Sequence, residues 1–554
     1  MTVYALRFSR AVRGTWAPWG ALLVAMTVVA PVAALIWHAL GADFNQWRHL
    51  SEHVLPTALR DTLILLAGVA VVASVLGVGS AWLVSAYRFP GRGLLGWALL
   101  LPLAVPTYIM AYAYLDILHP IGAVQSTLRA WLGYTSPREF RLPDVRNMPG
   151  AILVLGFVVY PYVYLTVRAM FLTQAANLLE AARSLGATRR EVFMRVVLPM
   201  ARPAWAIGLS LALLETLNDI GASEFLGVRT LTGAVYTSWI ARSDLAGAAQ
   251  LAVTMLLVVV GLILMERKGR ARQRFANTQR MQPMRPRLLQ GPAAALAVLL
   301  GSIPVLIGFA IPATYLGIEA AKRLKLTGGL SDALVRALSN TVLVASIATV
   351  VTIAAGLMVA WATRALRESA ARQPARALAR LGSLGYAVPG TVLAIGLLTP
   401  VMLLEQVFGN LLGAQQLVLM GSVGLLIVAY TIRFLAIPIG AVEAGLTRVP
   451  ASLEHAARTL GERPAGTLWR VHLPLIRPAL AASALLVFVD AMKELPATLL
   501  LRPLNFETLA TWLYAEASRG AYEDGALAAI AIVLAGLPPV ILLARTNLSS
   551  EQRH

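Results

Sequence analysis

Six ionisable side chains stand within stretches that are otherwise apolar, three in each of two corresponding parts of the chain. They are Glu215, Asp219, Glu224, Asp490, Lys493 and Glu494. Glu215 and Asp219 are four residues apart, as are Asp490 and Glu494, so each pair lies on one face of a helix. Acids at membrane depth cost about 2.5–3.5 kcal/mol each and usually face a bundle interior or water. Two interpretations follow. The residues line a polar, cation-tolerant pathway, or they serve a structural role in which Lys493 forms an ion pair with Asp490 or Glu494.

Residue clusters typical of catalysis or of a resident metal are missing from the sequence. It contains no G-x-x-x-x-G-K-[ST] phosphate-binding loop, no H-E-x-x-H pair and no Ser/His/Asp constellation. It has no cysteine, which excludes disulfides, thiolate metal sites and cysteine nucleophiles. His49 and His53 are four residues apart, but solvated loop positions explain them better than a metal site does. We predict no catalytic residue, no metal site and no cofactor bound by this chain.

Two polar, basic segments interrupt the apolar sequence and repeat each other. "EAARSLGATRREVFMRVVLPMARPA" begins at residue 180, and "HAARTLGERPAGTLWRVHLPLIRPA" begins 275 positions later. Both contain Ala-Ala-Arg-[Ser/Thr]-Leu-Gly, then Leu-Pro, then Arg-Pro at constant spacing. A loop needed only for solubility would not keep one spacing in two regions that have otherwise diverged. We call residues 180–204 and 454–479 the first and second polar segments, and we expect a partner to bind both.

The composition of the first polar segment suits a short helix laid into a groove of that partner. Small residues at 181–182 permit close approach, while Leu185, Val192 and Val196 offer apolar anchors at helical spacing. Gly186 permits a backbone turn with positive φ at the end of the helix.

Composition predicts an all-α polytopic membrane protein. Of the 554 residues, 58% are hydrophobic and 13% are charged, against about 25% charged in soluble domains. Apolar stretches of about 18 or more residues recur, each long enough to cross a bilayer, whereas a β-barrel would show short alternating segments. About twelve spans are predicted, near 17–40, 58–86, 93–117, 150–173, 203–226, 246–265, 289–317, 338–363, 377–404, 415–441, 477–500 and 523–544.

Charge distribution predicts the orientation of these spans. The formal net charge is +20, and basic residues concentrate in the loops that would be cytoplasmic if the N-terminus is inside. This rule explains the charge without nucleic-acid binding. The first apolar run is too long for a signal peptide, so we predict an uncleaved first helix. Asp61-Thr62 and Asn340-Thr341 suit helix starts in the second and eighth spans.

The chain divides into two similar halves. Residues 266–288 form a basic linker between a first half, 1–265, and a second half, 289–554. Six spans in each half give both copies the same orientation. Parallel repeats imply a pseudo-two-fold axis along the membrane normal, with a substrate path between the halves.

The polar segments resemble the EAA signature of the permease subunits of bacterial ABC importers. The resemblance extends over essentially the whole chain, as two fused halves of the type I importer kind. It implies an inner-membrane protein whose two loops dock as coupling helices on two copies of a cytoplasmic ATPase, which holds ATP and Mg. It also implies a periplasmic binding protein that delivers substrate. The coupling residues it implies are Glu180, Ala181, Ala182, Gly186, Leu198, Pro199, Glu454, His455, Ala456, Ala457, Gly461, Leu473 and Pro474. His455 stands where the first copy has Glu180, although Glu454 precedes it.

Longer phrases point to one branch of these permeases. "YPYVYLTVRAMF", "LLETLNDIGASEFLGVRTLTGAVYTSW" and "DAMKELPATLLLRPLNFETLATWLY" are similar to fused permeases of ferric-iron importers. Permeases for thiamine or 2-aminoethylphosphonate share the architecture and stay as alternatives. An ion-coupled secondary transporter would also use parallel repeats and buried acids, but it has no need for duplicated EAA loops.

Overall fold

The computed structural model describes residues 17–41, 44–174, 182, 184–271, 286–366, 372–412, 419–520 and 522–552. These residues are almost entirely α-helical, which confirms the predicted fold class. The strands among them are β1 (Tyr87–Arg88) and β2 (Arg287–Leu288), which pair in parallel.

Helices in the first part of the chain are α1 (Ala17–Leu40), α2 (Phe44–His49), α3 (Leu55–Ala86), α4 (Arg92–Ala98), α5 (Thr107–Ile117), α6 (Ala123–Leu132), α7 (Met148–Gln174), α8 (Arg189–Glu191), α9 (Leu198–Asn218), α10 (Gly221–Phe225), α11 (Leu231–Tyr236) and α12 (Leu245–Ala271). Those in the second part are α13 (Gly291–Val305), α14 (Ile311–Thr327), α15 (Asp332–Ala365), α16 (Arg372–Ser383), α17 (Gly390–Leu412), α18 (Val423–Phe434), α19 (Ala436–Thr447), α20 (Ala451–Thr459), α21 (Pro464–Thr467), α22 (Leu473–Met492), α23 (Pro496–Leu501), α24 (Leu509–Ser518) and α25 (Tyr522–Gln552).

Ten helical segments among the described residues are long and apolar enough to cross a membrane. Two bent pairs raise the number to as many as twelve: 92–104 with 107–117, and 423–434 with 436–447. Each corresponds to one predicted span. A helix satisfies every backbone N–H and C=O internally, which is what a chain in hydrocarbon requires.

Four π-helical turns share a cause in the sequence. Leu50–Val54, Val192–Val197, Leu306–Ala310 and Leu468–His472 each run directly into an α-helix whose second residue is proline. A proline within a continuous helix lacks the N–H and clashes with the carbonyl four residues earlier. A wider turn just before it accommodates the ring, so these helices continue where a break would otherwise occur.

Thr62 and Thr341 have a different role from the one predicted, because neither begins a helix. Thr62 lies within α3 and Thr341 within α15. Both are buried, and each hydroxyl donates to the carbonyl four residues earlier, at 2.7 Å in both cases. Each also accepts a backbone N–H from a distant helix start, that of Leu231 at 2.9 Å or Leu509 at 2.7 Å. The two threonines therefore fix long-range packing in the same way in both halves.

Two compact units are present, and each combines segments from both predicted halves. One contains the described residues up to Trp47, together with Val235–Val253 and Asp332–Thr511. The other contains Arg48–Ala234, Thr254–Ser331 and the described residues from Trp512 onward. The two predicted halves were defined by sequence similarity and not by compactness, so their boundaries stay a prediction.

Candidate functional site

Both polar segments make the same turn at their conserved spacing. Gly186 has φ +82° and Gly461 has φ +83°, which confirms the predicted left-handed conformation. Such a residue at the end of a helix lets the next N–H reach back to a free carbonyl. That bond forms in both segments: Ala187 N to Ala182 O at 3.1 Å, and Glu462 N to Ala457 O at 3.0 Å. Glu180 and Ala181 lie outside the described residues.

The turn exposes one leucine in each segment. Leu185 is 87% exposed and Leu460 is 84% exposed, and they precede the two glycines. Ala456 and His455 are also exposed, whereas Ala457 is buried. Val192, predicted as a second anchor, is buried within the chain's own fold, so that prediction is wrong. The leucine beside each glycine is therefore the apolar group best placed for a partner.

The helix after each turn begins differently in the two segments. In the first, Glu191 accepts the backbone N–H of Thr188 at 3.0 Å, and Thr188 Oγ1 accepts that of Glu191 at 3.4 Å. This reciprocal capping satisfies two helix-start donors, and the Thr188 N–H lowers the pKa of Glu191. In the second, Pro464 occupies the first helical turn. Leu198-Pro199 and Leu473-Pro474 open α9 and α22, each directly after a π-helical turn that accommodates the proline ring.

Glu454 is engaged within its own chain. Its Oε1 lies 2.6 Å from Nε of Arg364 and 3.0 Å from Nε2 of His472. Arg364 also donates from Nη2 to the carbonyl of Val449 at 2.9 Å. All three side chains of this cluster are at most 15% exposed. Glu454, predicted from the EAA signature as an acid contact for the partner, thus ties the second polar segment to the end of α15.

The first polar segment is held by aromatic packing instead. The residue 275 positions before His472 is Val197, which is buried and carries no charge. Trp82 contacts Phe171 with ring centroids 5.8 Å apart and Phe193 with centroids 5.2 Å apart. The two segments therefore present similar turns but are anchored by different physical forces.

Asp219 and Glu494 are buried acids that cap interrupted helices. Asp219 accepts the backbone N–H of Ala222 at 2.8 Å. Glu494 accepts those of Ala497 and Thr498, both at 3.0 Å, and the Thr498 hydroxyl at 2.7 Å. The spans predicted as continuous over 203–226 and 477–500 are therefore broken at Asn218 and Met492, which corrects the sequence expectation. A carboxylate is favourable at each new helix start, where unpaired N–H groups point toward it.

Each buried acid faces a residue whose size compensates for the length of the acid: the shorter acid faces a larger residue, and the longer acid faces glycine. The phrase Ala-Val-Pro is followed by Thr107 in one half and Gly390 in the other. Thr107 lies within hydrogen-bonding range of the shorter acid, Asp219. A Cβ added to Gly390 would lie 2.8 Å from Oε1 of Glu494, so only glycine leaves room for the longer acid.

A family model described as the binding-protein-dependent transport system inner membrane component matches residues 73–267 and 353–553. The chain belongs to this family. Permeases of the family are transport subunits and not enzymes themselves, and the family implies an ATPase and a periplasmic binding protein as partners. This chain is accordingly the permease of an ABC importer and a multi-pass inner-membrane protein.

Curated relatives of the permease include full-length and half-length proteins. The Fe(3+)-transport system permease protein FbpB 2 of Haemophilus influenzae is 26% identical over 489 residues, 88% of this chain and 89% of the relative. The sulfate transport system permease protein CysT of Escherichia coli is 29% identical and covers 37% of this chain and 71% of the relative. The molybdenum transport system permease protein ModB of E. coli is 30% identical, covering 34% and 82%.

The other charged residues of the permease divide between ion pairing and exposure. Lys493 Nζ lies 2.9 Å from Oδ1 of Asp490, the first of its two predicted partners. Glu494 instead has the guanidinium of Arg433, with Nε 3.9 Å from Oε1. Glu215 is half-buried in α9, and Glu224 is exposed and accepts a hydrogen bond from the Tyr514 hydroxyl.

The sequence analysis missed two arginines that pair with buried acids, Arg364 with Glu454 and Arg433 with Glu494. Arg364 stands at the end of an apolar span and looks like an ordinary loop-flanking residue of the inner face. Arg433 interrupts the apolar run of α18, and that position was a usable signal because a charged residue within a span needs a partner.

We expect the left-handed turn to be needed for binding a partner rather than for membrane insertion. Apart from the two chain neighbours of each glycine, no atom of the described residues lies within 4 Å of a Cβ placed on Gly186 or Gly461, so backbone strain is what opposes a substitution there. A non-glycine residue in this conformation costs about 1–2 kcal/mol, and asparagine tolerates it best. The amount of ATPase that co-purifies should therefore be reduced least by Gly186→Asn, more by Gly186→Ala and most by Gly186→Val. The amount of permease in the membrane should be the same in all three variants.

The control for these variants is Gly79→Ala within α3. Its added Cβ also meets open space, but Gly79 is absent from the positive-φ glycines, so ATPase binding should be retained. Equal binding by Gly186→Asn and Gly186→Val, or loss in Gly79→Ala, would contradict the turn's role.

Proposed function

We propose that this permease forms the membrane path of an ATP-driven importer of ferric iron. The proposed coupling to an ATPase is supported by the duplicated turn, in which the two glycines have φ +82° and +83° and each is preceded by an exposed leucine. An apolar side chain presented on a rigid helix end suits the groove of a docked subunit. The partner ATPase would bind ATP and Mg, and its closure would be transmitted through the two polar segments.

The two turns resemble each other closely enough to suit two copies of one ATPase. Leu185 and Leu460 precede glycines of equal backbone conformation, and the same reach-back bond closes both. Intact-complex mass measurement should give two copies of a single ATPase polypeptide for each permease chain. Equal amounts of two different ATPases would contradict this stoichiometry.

The path itself is proposed to pass Glu215 and Asp219, with the N-terminus and both polar segments in the cytoplasm. Glu215 is half-buried, as expected of a residue facing a polar path, and basic loops favour this orientation. Asp490 and Lys493 would act as a local brace, since their charges pair with each other. Glu224 would lie at the edge of the path because its side chain is exposed.

Ferric iron is supported by the relative named for Fe(3+) transport, which matches along 88% of this chain. The half-length relatives named for sulfate and molybdenum transport keep oxyanions as competing substrates, beside thiamine and 2-aminoethylphosphonate. The deciding assay uses the permease, its ATPase and its binding protein in proteoliposomes. We expect ATP-dependent uptake of radiolabelled ferric iron and none of sulfate or molybdate. ATP-dependent uptake of an oxyanion without iron uptake would overturn the substrate assignment but not the importer function.

A further inference from the structure

Helix α6 carries an apolar face that the described part of the chain leaves largely exposed. Val124, Leu128 and Trp131 recur at i, i+4 and i+7, so they lie on one side of the helix. Trp131 is 85% exposed and Val124 is 45% exposed, and Ile121 just before the helix is 74% exposed. Such a face left in water would be unfavourable.

The polar side of α6 is the side fixed to the protein. Gln125 is buried and donates from Nε2 to the carbonyl of Leu118 at 2.6 Å. Its Oε1 accepts the backbone N–H of Leu142 at 3.1 Å. Arg129, one turn later, is also buried. The orientation of the helix is therefore set by polar contacts, and its apolar residues are held outward.

A short connection keeps α6 close to the end of the preceding spanning segment. It starts six residues after Ile117, the end of α5, which belongs to a bent spanning pair. The connection is folded by bonds from Leu118 N to Tyr114 O at 3.0 Å and from Gly122 N to His119 O at 2.9 Å. Even fully extended, five linking residues reach only about 18 Å. The same loop continues after α6 and ends at the next spanning helix, α7.

We propose that α6 lies in the plane of the membrane interface, with Val124, Leu128 and Trp131 inserted among lipid headgroups and upper acyl chains. Along the chain, α6 lies between two membrane-spanning segments, the bent pair that ends with α5 and the helix α7. Interfacial helices bury such a face about 5–10 Å deep, and tryptophan is enriched at this depth. The helix would set the vertical position of the loop that joins α5 to α7.

The natural absence of cysteine gives a clean test. Val124→Cys and Trp131→Cys place a single thiol on the apolar face, and Ser126→Cys and Ala130→Cys place one on the exposed opposite side. The full-length permease is labelled with an environment-sensitive fluorophore and reconstituted in phosphatidylcholine vesicles. Quenching by lipid-borne nitroxide is then compared with quenching by aqueous iodide.

Labels at 124 and 131 should be quenched by the nitroxide lipid and be several-fold less accessible to iodide than labels at 126 and 130. Equal iodide quenching at all four positions would overturn the proposal. So would shielding of 124 and 131 that appears only after the binding protein is added, because that result assigns the face to a protein partner. Val124→Cys keeps Trp131, so the test survives if the tryptophan is itself needed for folding.

Discussion

Arg364→Ala is expected to destabilise the permease by about 3–5 kcal/mol, because it leaves a buried carboxylate without its main counter-charge. Arg364 and Glu454 are 8% and 15% exposed, and their Nε–Oε1 distance is 2.6 Å. His472 remains against Glu454, but an imidazole N–H cannot replace the fixed charge and the several donors of a guanidinium. The second polar segment should lose its attachment to α15, so ATPase binding should fall together with stability.

Thermal unfolding in detergent and ATPase co-purification measure the two effects. Arg48→Ala is the matched control, because Arg48 Nε and Glu52 Oε1 form the same kind of ion pair at 2.9 Å, but the two side chains are 70% and 52% exposed. An exposed pair contributes about 0–1 kcal/mol, so this control should be nearly silent. Arg364→Met combined with Glu454→Gln should recover much of the loss, since no unpaired charge is then buried. A loss in Arg364→Ala no larger than in Arg48→Ala would contradict the cluster's role.

The number and approximate positions of the membrane-spanning helices were largely predictable from the sequence, because hydrocarbon imposes long apolar helices with internally satisfied backbones. The turn at Gly186 was predictable because a helix commonly ends at a glycine in the left-handed conformation, where a residue with a Cβ would be strained. The repeat also located Asp219 and Glu494 correctly within the apolar stretches. These signals are local, and each depends on a few neighbouring residues.

Long-range partners were not predictable from one sequence. Nothing local distinguishes Glu454, which meets Arg364 ninety positions away, from an acid that waits for another subunit. Thr62 and Thr341 looked like helix starts because Asp-Thr and Asn-Thr favour capping, yet both bind backbone groups about 170 residues distant. The breaks at Asn218 and Met492 were missed because the stretches before and after them are apolar and long enough together for one span, and nothing local marked Asp219 and Glu494 as helix caps.

Glu494→Ala is expected to cost about 3 kcal/mol or more, since it leaves the N–H groups of Ala497 and Thr498 without their acceptor. It also removes the acid that faces Arg433 within the membrane region. Asp219→Asn should cost much less, about 1 kcal/mol, because the amide oxygen can still accept the N–H of Ala222. Thermal unfolding of the reconstituted permease compares the two directly.

The pairing of a small residue with a long acid, Gly390 with Glu494, gives a sharper test. The first half of the chain has the opposite combination at the corresponding positions, Thr107 with Asp219, and it shows which double variant to make. Gly390→Thr alone should be strongly destabilising, since its Cβ would lie 2.8 Å from Oε1 of Glu494 and 3.1 Å from Ala497 N. Glu494→Asp alone should leave a gap and lengthen the capping bonds. The double variant recreates the Thr107 and Asp219 arrangement of the first half, so it should be more stable than the sum of the single losses predicts. Residues in contact typically show coupling of about 0.5–3 kcal/mol in such a cycle. Strictly additive losses would mean that the small residue and the long acid are unrelated, and that Gly390 is required by its closeness to Pro496 and Ala497 alone.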